Sequence, residues 1–146
     1  MTSLESLARR WGTTGIIIAT ALMALAINLV VYAIGTLAGG SFDFTVDGER
    51  THVYALLLAA FTVIPIVVGL TLVALLARWW PQVIPLALVI APILAIGTIF
   101  IMTIPADLDT TSTVTLAITH VVVAIVTVAG ILALHGRRSA SALRFA

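Results

Sequence analysis

Long runs of apolar residues alternate with short polar stretches along the 146-residue chain. A helix needs about 20 mostly apolar residues to cross the hydrocarbon core of a bilayer. Four runs meet this requirement without an acidic or basic residue in their interior, at residues 13–38, 53–77, 83–104 and 112–135. Because the connections are short, consecutive helices should run antiparallel. The pattern predicts an all-α membrane protein, with residues 1–146 forming a single antiparallel four-helix transmembrane bundle.

The connection between the first two spans, residues 39–52, carries a different pattern. Phe42, Phe44 and Val46 alternate with polar residues, which is typical of a β-strand with one apolar face. Asp47 and Gly48 then favour a two-residue hairpin turn, because both turn positions need a positive φ. This segment predicts a small extracytoplasmic β-hairpin between helices 1 and 2, with an irregular loop as the alternative.

A second polar connection precedes the last span and contains Asp107 and Asp109. Residues 109–111 have the composition of a helix N-cap. The two carboxylates could also bind a cation together with the acids of the hairpin, but no calcium-loop spacing is present. We therefore interpret them as a solvated surface beside a cap.

Orientation follows from the positions of the arginines, since basic residues accumulate on the cytoplasmic side of membrane proteins. Six of the seven fall on one side of the predicted spans: Arg9, Arg10, Arg78, Arg137, Arg138 and Arg144. The distribution predicts that both termini, including a basic tail at residues 136–146, are cytoplasmic. We interpret the basic flanks as determinants of topology beside anionic lipid rather than as specific lipid-binding sites.

Each span has a stripe of mostly small residues at the three-four spacing of a helix-packing seam. The stripes are Ala21, Ala24, Asn28, Val31 and Gly35; Ala55, Ala59, Thr62, Ile66 and Gly69; Ala87, Ala91, Leu94 and Thr98; and Ala117, His120, Ala124 and Thr127. Each stripe contains a polar residue, and one from each stripe falls at a similar depth in the outer half of the membrane: Asn28, Thr62, Thr98 and His120. They predict a shared hydrogen-bond cluster. In one interpretation the cluster fixes the register of the bundle; in the other, Asn28 and His120 line a pocket that Pro65 and Pro92 open by kinking their helices.

The sequence lacks the combinations of residues that most enzymes use. It has no cysteine, only 9% of its residues are charged, and the net charge of +1 argues against a nucleic-acid partner. His52, His120 and His135 should lie at three different levels, so they cannot converge on zinc or haem. No carboxylate lies within a span to carry protons. We therefore expect no catalytic residue, no metal and no cofactor.

Three segments resemble an uncharacterised family of small four-span membrane proteins found mainly in actinobacteria. They are DFTVDG in the outer loop, LVALLAR before the inner turn, and TVTLAITHVVVAIV in the last helix. The family pattern TLALxH corresponds here to Thr115, Leu116, Ala117 and His120. The resemblance implies the four-span fold and a bacterial inner membrane, and it raises the importance of His120. It supplies no activity.

Taken together, these features favour a non-enzymatic integral membrane protein of the bacterial cytoplasmic membrane. It would bind a lipid, another hydrophobic ligand or a membrane protein partner, alone or as a homo-oligomer. The alternative is a small transporter or channel subunit that uses the polar layer around Asn28 and His120.

Overall fold

A computed structural model describes the backbone of residues 3–142 and the side chains of residues 12–137. Its elements, in chain order, are α1 (Ser3–Leu37), β1 (Asp43–Val46), β2 (Glu49–His52), α2 (Ala55–Leu76), α3 (Val83–Thr98) and α4 (Thr110–Ala142). One π-helical turn, Ile99–Thr103, extends α3. The predicted fold is confirmed: four long apolar helices form a compact bundle, and a two-stranded antiparallel hairpin lies between α1 and α2. The side chains of Arg9, Arg10, Arg138 and Arg144 lie outside the described residues.

All four helices are long and apolar enough to cross a membrane. The candidate spans are Gly12–Leu37, Ala55–Leu76, Val83–Thr103 and Thr110–Arg137, with mean hydropathies of 2.4 to 2.7. They agree with the predicted spans to within a few residues. One boundary differs, because α4 continues to Ala142 and makes part of the predicted tail helical. Large apolar side chains remain exposed around the bundle, as expected where lipid replaces water, and they indicate a multi-pass membrane protein.

The end of the bundle next to the hairpin is the hairpin end, and the opposite end, where α1 begins and α4 ends, is the terminal end. α1 and α4 form the central pair, with α2 packed mainly on α1 and α3 mainly on α4. Gly35 of α1 faces Thr115 of α4, and Gly130 of α4 faces Thr20 of α1. Each glycine therefore lies against a threonine of the other helix, at opposite ends of one interface. Small residues at such positions let two helix backbones approach closely.

The bundle interior differs between its two halves. Toward the terminal end the core is mostly apolar and includes Ile16, Leu70, Ile131 and Leu134; the buried Thr20 there donates to the carbonyl of its own helix. Toward the hairpin end most of the buried residues are polar: Asn28, Thr62, Thr103, Ser112, Thr115 and Thr119. Apolar packing therefore holds the terminal half, whereas hydrogen bonds order much of the hairpin half.

The hairpin turns where the sequence predicts it. Asp47 and Gly48 have φ values of 53° and 83°, which confirms the two-residue turn with both central positions in the left-handed region. Phe42, immediately before β1, also has a positive φ, 54°. Its side chain is only 1% exposed, so the strained backbone at this point directs the ring into the bundle.

One expectation about the helices is wrong. Leu94, placed on the seam of α3, is 64% exposed, because α3 packs mainly on α4 and buries a narrower face than a fully surrounded helix would. Pro65 and Pro92 do not interrupt α2 or α3. The non-helical backbone lies instead at Gly12 within α1, which has φ 67° and ψ 177°.

Candidate functional site

The polar layer consists of two hydrogen-bonded pairs rather than one cluster of four. In the first pair, Asn28 Nδ2 donates to Thr62 Oγ1 over 3.0 Å and joins α1 to α2. Both side chains are buried, and Asn28 is 0% exposed. Asn28 Oδ1 has no hydrogen-bond partner among the described residues. The pair is an interhelical contact in which one amide oxygen stays unsatisfied.

The second pair joins α3 to α4. Thr98 Oγ1 donates to the carbonyl of Ala95 over 2.6 Å and also lies 2.9 Å from His120 Nδ1. A hydroxyl has one hydrogen, and the carbonyl takes it, so His120 Nδ1 must be the donor to Thr98. In the neutral imidazole Nε2 is then an acceptor, and it has no partner among the described residues. His120 itself is half-buried.

Asp109 anchors the hairpin to the start of α4. Its carboxylate accepts from the backbone N–H of Ser112 over 2.9 Å, the geometry of a helix N-cap. The same carboxylate accepts from the backbone N–H and the hydroxyl of Ser41 at 2.9 and 2.8 Å. The Ser112 hydroxyl donates to Asp109 and accepts from the backbone N–H of Phe42 over 2.8 Å. Donors from two distant parts of the chain therefore converge on one carboxylate.

Asp107 ties the hairpin at a second point. Its two oxygens accept from the backbone N–H and the hydroxyl of Thr45, both at 2.6 Å. These hydrogen bonds, led by the one from the Thr45 side chain, hold the pKa of Asp107 below its usual range. Those from Ser112 and Ser41 hold the pKa of Asp109 well below that range. The expected cap is confirmed at Asp109, but the two acids are structural ties rather than only a solvated surface.

Aromatic and titratable side chains complete this end of the bundle. The ring of Phe42 lies 4.5 Å from that of Tyr32, centroid to centroid. The Tyr32 hydroxyl donates to the carbonyl of Val53 over 2.8 Å. Across the hairpin, His52 Nδ1 lies 2.7 Å from Asp43 Oδ1. The hairpin is thus fixed to the end of α1 as well as to α4.

A lateral groove lies below the hairpin, between α1 and α4, with a volume of about 410 Å³. It is lined by Val31, Ile34, Gly35, Ala38, Thr110, Thr111, Val114, Thr115 and Ile118. The Thr115 hydroxyl donates to the carbonyl of Thr111 over 2.7 Å, so it is satisfied within its own helix. The groove therefore presents a largely apolar surface within the spanning segments.

The described side chains were compared with the requirements of a metal site. Within the part of the chain that the structure describes, no three His, Cys, Asp or Glu side chains come together. His52 lies in the hairpin, His120 in the polar layer and His135 near the terminal end. The polar pairs and the groove can therefore offer a ligand hydrogen bonds and apolar contacts.

Comparison with known proteins assigns the family but no activity. A family model described as "Family of unknown function (DUF6069)" matches residues 5–138, which is most of the chain. The chain belongs to this family. No curated protein and no solved structure matches it.

Some features of this DUF6069 chain have only weak sequence signals. Nothing in the local pattern pairs Ser41 with Asp109 or Thr45 with Asp107, because the partners are separated by 68 and 62 residues. The groove likewise depends on how α1 and α4 pack. The glycine at position 35 was a usable signal for close packing, since it lies on the predicted seam of the first helix.

Proposed function

We propose that this protein is a non-enzymatic membrane protein that binds the acyl chain of a lipid in the groove between α1 and α4. The observation that carries the proposal is the groove itself. It lies within two spanning helices and opens laterally, where acyl chains surround the protein. Val114 and Ile118 on its wall are 53% and 45% exposed, so an occupant would cover apolar surface.

The groove lies at the hairpin end of α1 and α4, since its lining runs to Ala38 and Thr110. The hydrogen bonds of Asp107 and Asp109 hold the hairpin to the start of α4 at the same end. A bound acyl chain would therefore lie in the leaflet at the hairpin end. We place the termini in the cytoplasm of a bacterium, such as an actinobacterium, and the lipid in the outer leaflet of its cytoplasmic membrane; the distribution of arginines supports this orientation.

A photoactivatable acyl chain tests the proposal directly. The purified protein is reconstituted with a phospholipid that carries a diazirine on its acyl chain, and crosslinked peptides are mapped by mass spectrometry. We expect crosslinks to concentrate in residues 31–38 and 114–118. Val114→Trp should fill the groove and lower this crosslinking several-fold.

The control is Val68→Trp, on the exposed face of α2. Val68 is 52% exposed, almost the same as Val114, and does not line the groove. This variant should keep the wild-type pattern. Acyl-chain binding would be refuted by crosslinks that spread evenly over all exposed faces. It would also be refuted if a second copy or another membrane protein covers the groove and shields it from the probe.

A second candidate function is a small transporter or channel subunit. It is favoured by the His120 Nε2 acceptor, which lies in the membrane-spanning region with no described partner. Proteoliposomes that show pH-dependent ion or solute flux, lost in His120→Ala and retained in Val68→Trp, would support it. Absence of flux from protein that is folded in the same vesicles would refute it.

A further inference from the structure

The groove between α1 and α4 begins where the spanning segments begin. Its lining starts at Thr110, the first residue of the α4 span, and at Ala38, just beyond the end of the α1 span. From Thr110 it continues to Ile118, which lies about 12 Å further along α4. One leaflet contributes about 15 Å to the hydrocarbon core. An acyl chain in the groove would therefore extend through most of one leaflet and would place its headgroup at the rim, defined here as the level of Ala38 and Thr110.

Asp109 lies at this rim. It directly precedes Thr110 in the chain, so the α-carbons of the two residues are about 3.8 Å apart. Its Oδ2 accepts from the backbone N–H and the hydroxyl of Ser41, at 2.9 and 2.8 Å. Ser41 follows Ala38 by three residues, so the carboxylate of Asp109 connects the two chain segments that continue the walls of the groove.

The negative charge at the rim is permanent. Hydrogen bonds from Ser112 and Ser41 hold the pKa of Asp109 well below its usual range. Those from Thr45 lower the pKa of Asp107, which lies two residues before Asp109. Both carboxylates are therefore ionised at neutral pH, and their hydrogen bonds hold them in place. Asp107 is also exposed, so its remaining lone pairs are open to a further donor.

Few cations balance this charge. None of the residues that line the groove is charged. Arg50 is the only arginine at the hairpin end among the described residues, and its Nε lies 3.8 Å from Asp43 Oδ2. His52 Nδ1 lies 2.7 Å from the other oxygen of the same carboxylate. The described acids at this end outnumber that arginine: Asp43, Asp47, Glu49, Asp107 and Asp109.

We propose that the groove selects a lipid whose headgroup carries an ammonium group and no net negative charge, as in phosphatidylethanolamine, and that Asp107 and Asp109 determine this selection. The inference rests on the proposed binding of an acyl chain in the groove. An anionic headgroup would bring its phosphate to two fixed carboxylates, with no cation in the groove to pair with it. An ammonium group at the same level would instead meet opposite charge. The preference should be about threefold or more, the scale of one exposed ion pair.

Three photoactivatable lipids with the same diazirine acyl chain test the selection. They are phosphatidylethanolamine, phosphatidylglycerol and diacylglycerol, each added at the same low fraction to vesicles that contain equal amounts of the first two lipids. Crosslinks in residues 31–38 and 114–118 are divided by those on the exposed face of α2, which measure unselective lipid contact in the same molecule. In wild type this ratio should be about threefold or more higher for phosphatidylethanolamine than for phosphatidylglycerol.

Two variants change the charge at the rim. Thr110→Lys adds a positive charge beside Asp109, at an exposed residue whose side chain makes no described hydrogen bond, and should abolish or reverse the preference. Asp107→Asn removes one carboxylate, keeps an acceptor for Thr45 and should reduce the preference. The matched control is Val46→Lys. It adds the same charge on the hairpin, at a residue that is 45% exposed and does not line the groove, and should select lipids as wild type does.

The outcomes separate this inference from the function on which it rests. A groove that is not enriched over α2 with any probe would overturn both. Equal enrichment with the phosphatidylethanolamine and phosphatidylglycerol probes, or more with the latter, would leave acyl-chain binding intact and overturn the headgroup selection. Diacylglycerol enriched as strongly as phosphatidylethanolamine would overturn recognition of the ammonium group. A change in Val46→Lys as large as in Thr110→Lys would overturn the assignment to the rim.

Discussion

Replacing Gly35 by alanine should destabilise the bundle, although alanine is the better helix former. A β-carbon at position 35 would lie within 2.9 Å of three side-chain atoms of Thr115. Real β-carbons do not approach other atoms so closely, so α1 and α4 would have to move apart. Inserting a carbon into a packed interior of this kind typically costs about 1–3 kcal/mol.

The chain provides a matched control for this effect. A β-carbon at Gly69 in α2 would meet no atom within 4 Å. Gly69→Ala should therefore be neutral or should stabilise the protein by up to about 1 kcal/mol, the difference in helix propensity between the two residues. The same substitution is therefore expected to destabilise the protein at position 35 and to leave its stability unchanged or raised at position 69.

Equilibrium unfolding in mixed detergent micelles, followed by circular dichroism, measures both variants. The double variant Gly35→Ala/Thr115→Ala removes two of the three crowded atoms and should recover part of the loss. We expect a coupling energy of about 1 kcal/mol or more between the two positions. The packing argument is refuted if Gly35→Ala is as stable as Gly69→Ala, or if the two substitutions in the double variant are simply additive.

Three further predictions concern the hairpin end. Phe42→Ala should lower the free energy of unfolding by about 3 kcal/mol, at the lower end for a buried aromatic ring. Val46→Ala changes a residue that is 45% exposed and should alter this free energy by less than about 0.5 kcal/mol. Thr62→Val removes the acceptor for the buried Asn28 amide and should lower the free energy of unfolding by about 1 kcal/mol. The control Thr71→Val changes an exposed residue and should be close to wild type. Equal losses of stability in the two variants would mean that the hydrogen bond contributes nothing. The pKa of Asp109 is lowered in the folded state, so its stabilisation is present above the ordinary value of 3.8 and is lost as the pH falls toward the lower folded pKa. Melting temperatures measured between pH 6 and pH 2 should therefore fall more steeply at the acidic end in wild type than in Asp109→Asn, and parallel curves would contradict this linkage.

Local sequence patterns were enough to predict most of the secondary structure. The lengths of the apolar runs predict α1 to α4, because a chain in lipid has to satisfy its backbone within each span. The hairpin turn at Asp47 and Gly48 is likewise a local property, since the left-handed conformation at both positions depends on the residues themselves. The break at Gly12 has no comparable signal, because a glycine just before an apolar run is also compatible with an intact helix.

The sites depend on contacts between segments that are distant in the chain. Depth along each helix predicted one shared hydrogen-bond cluster of Asn28, Thr62, Thr98 and His120. The depth of a residue does not say which neighbouring helix it faces, however. Only the tertiary structure divides the four residues between an α1–α2 pair and an α3–α4 pair. The sequence by itself determined the spans, the hairpin and the level of the polar residues. Only the packing of α1 against α4, set by glycines opposite threonines, decided where the groove lies and which carboxylates hold the hairpin.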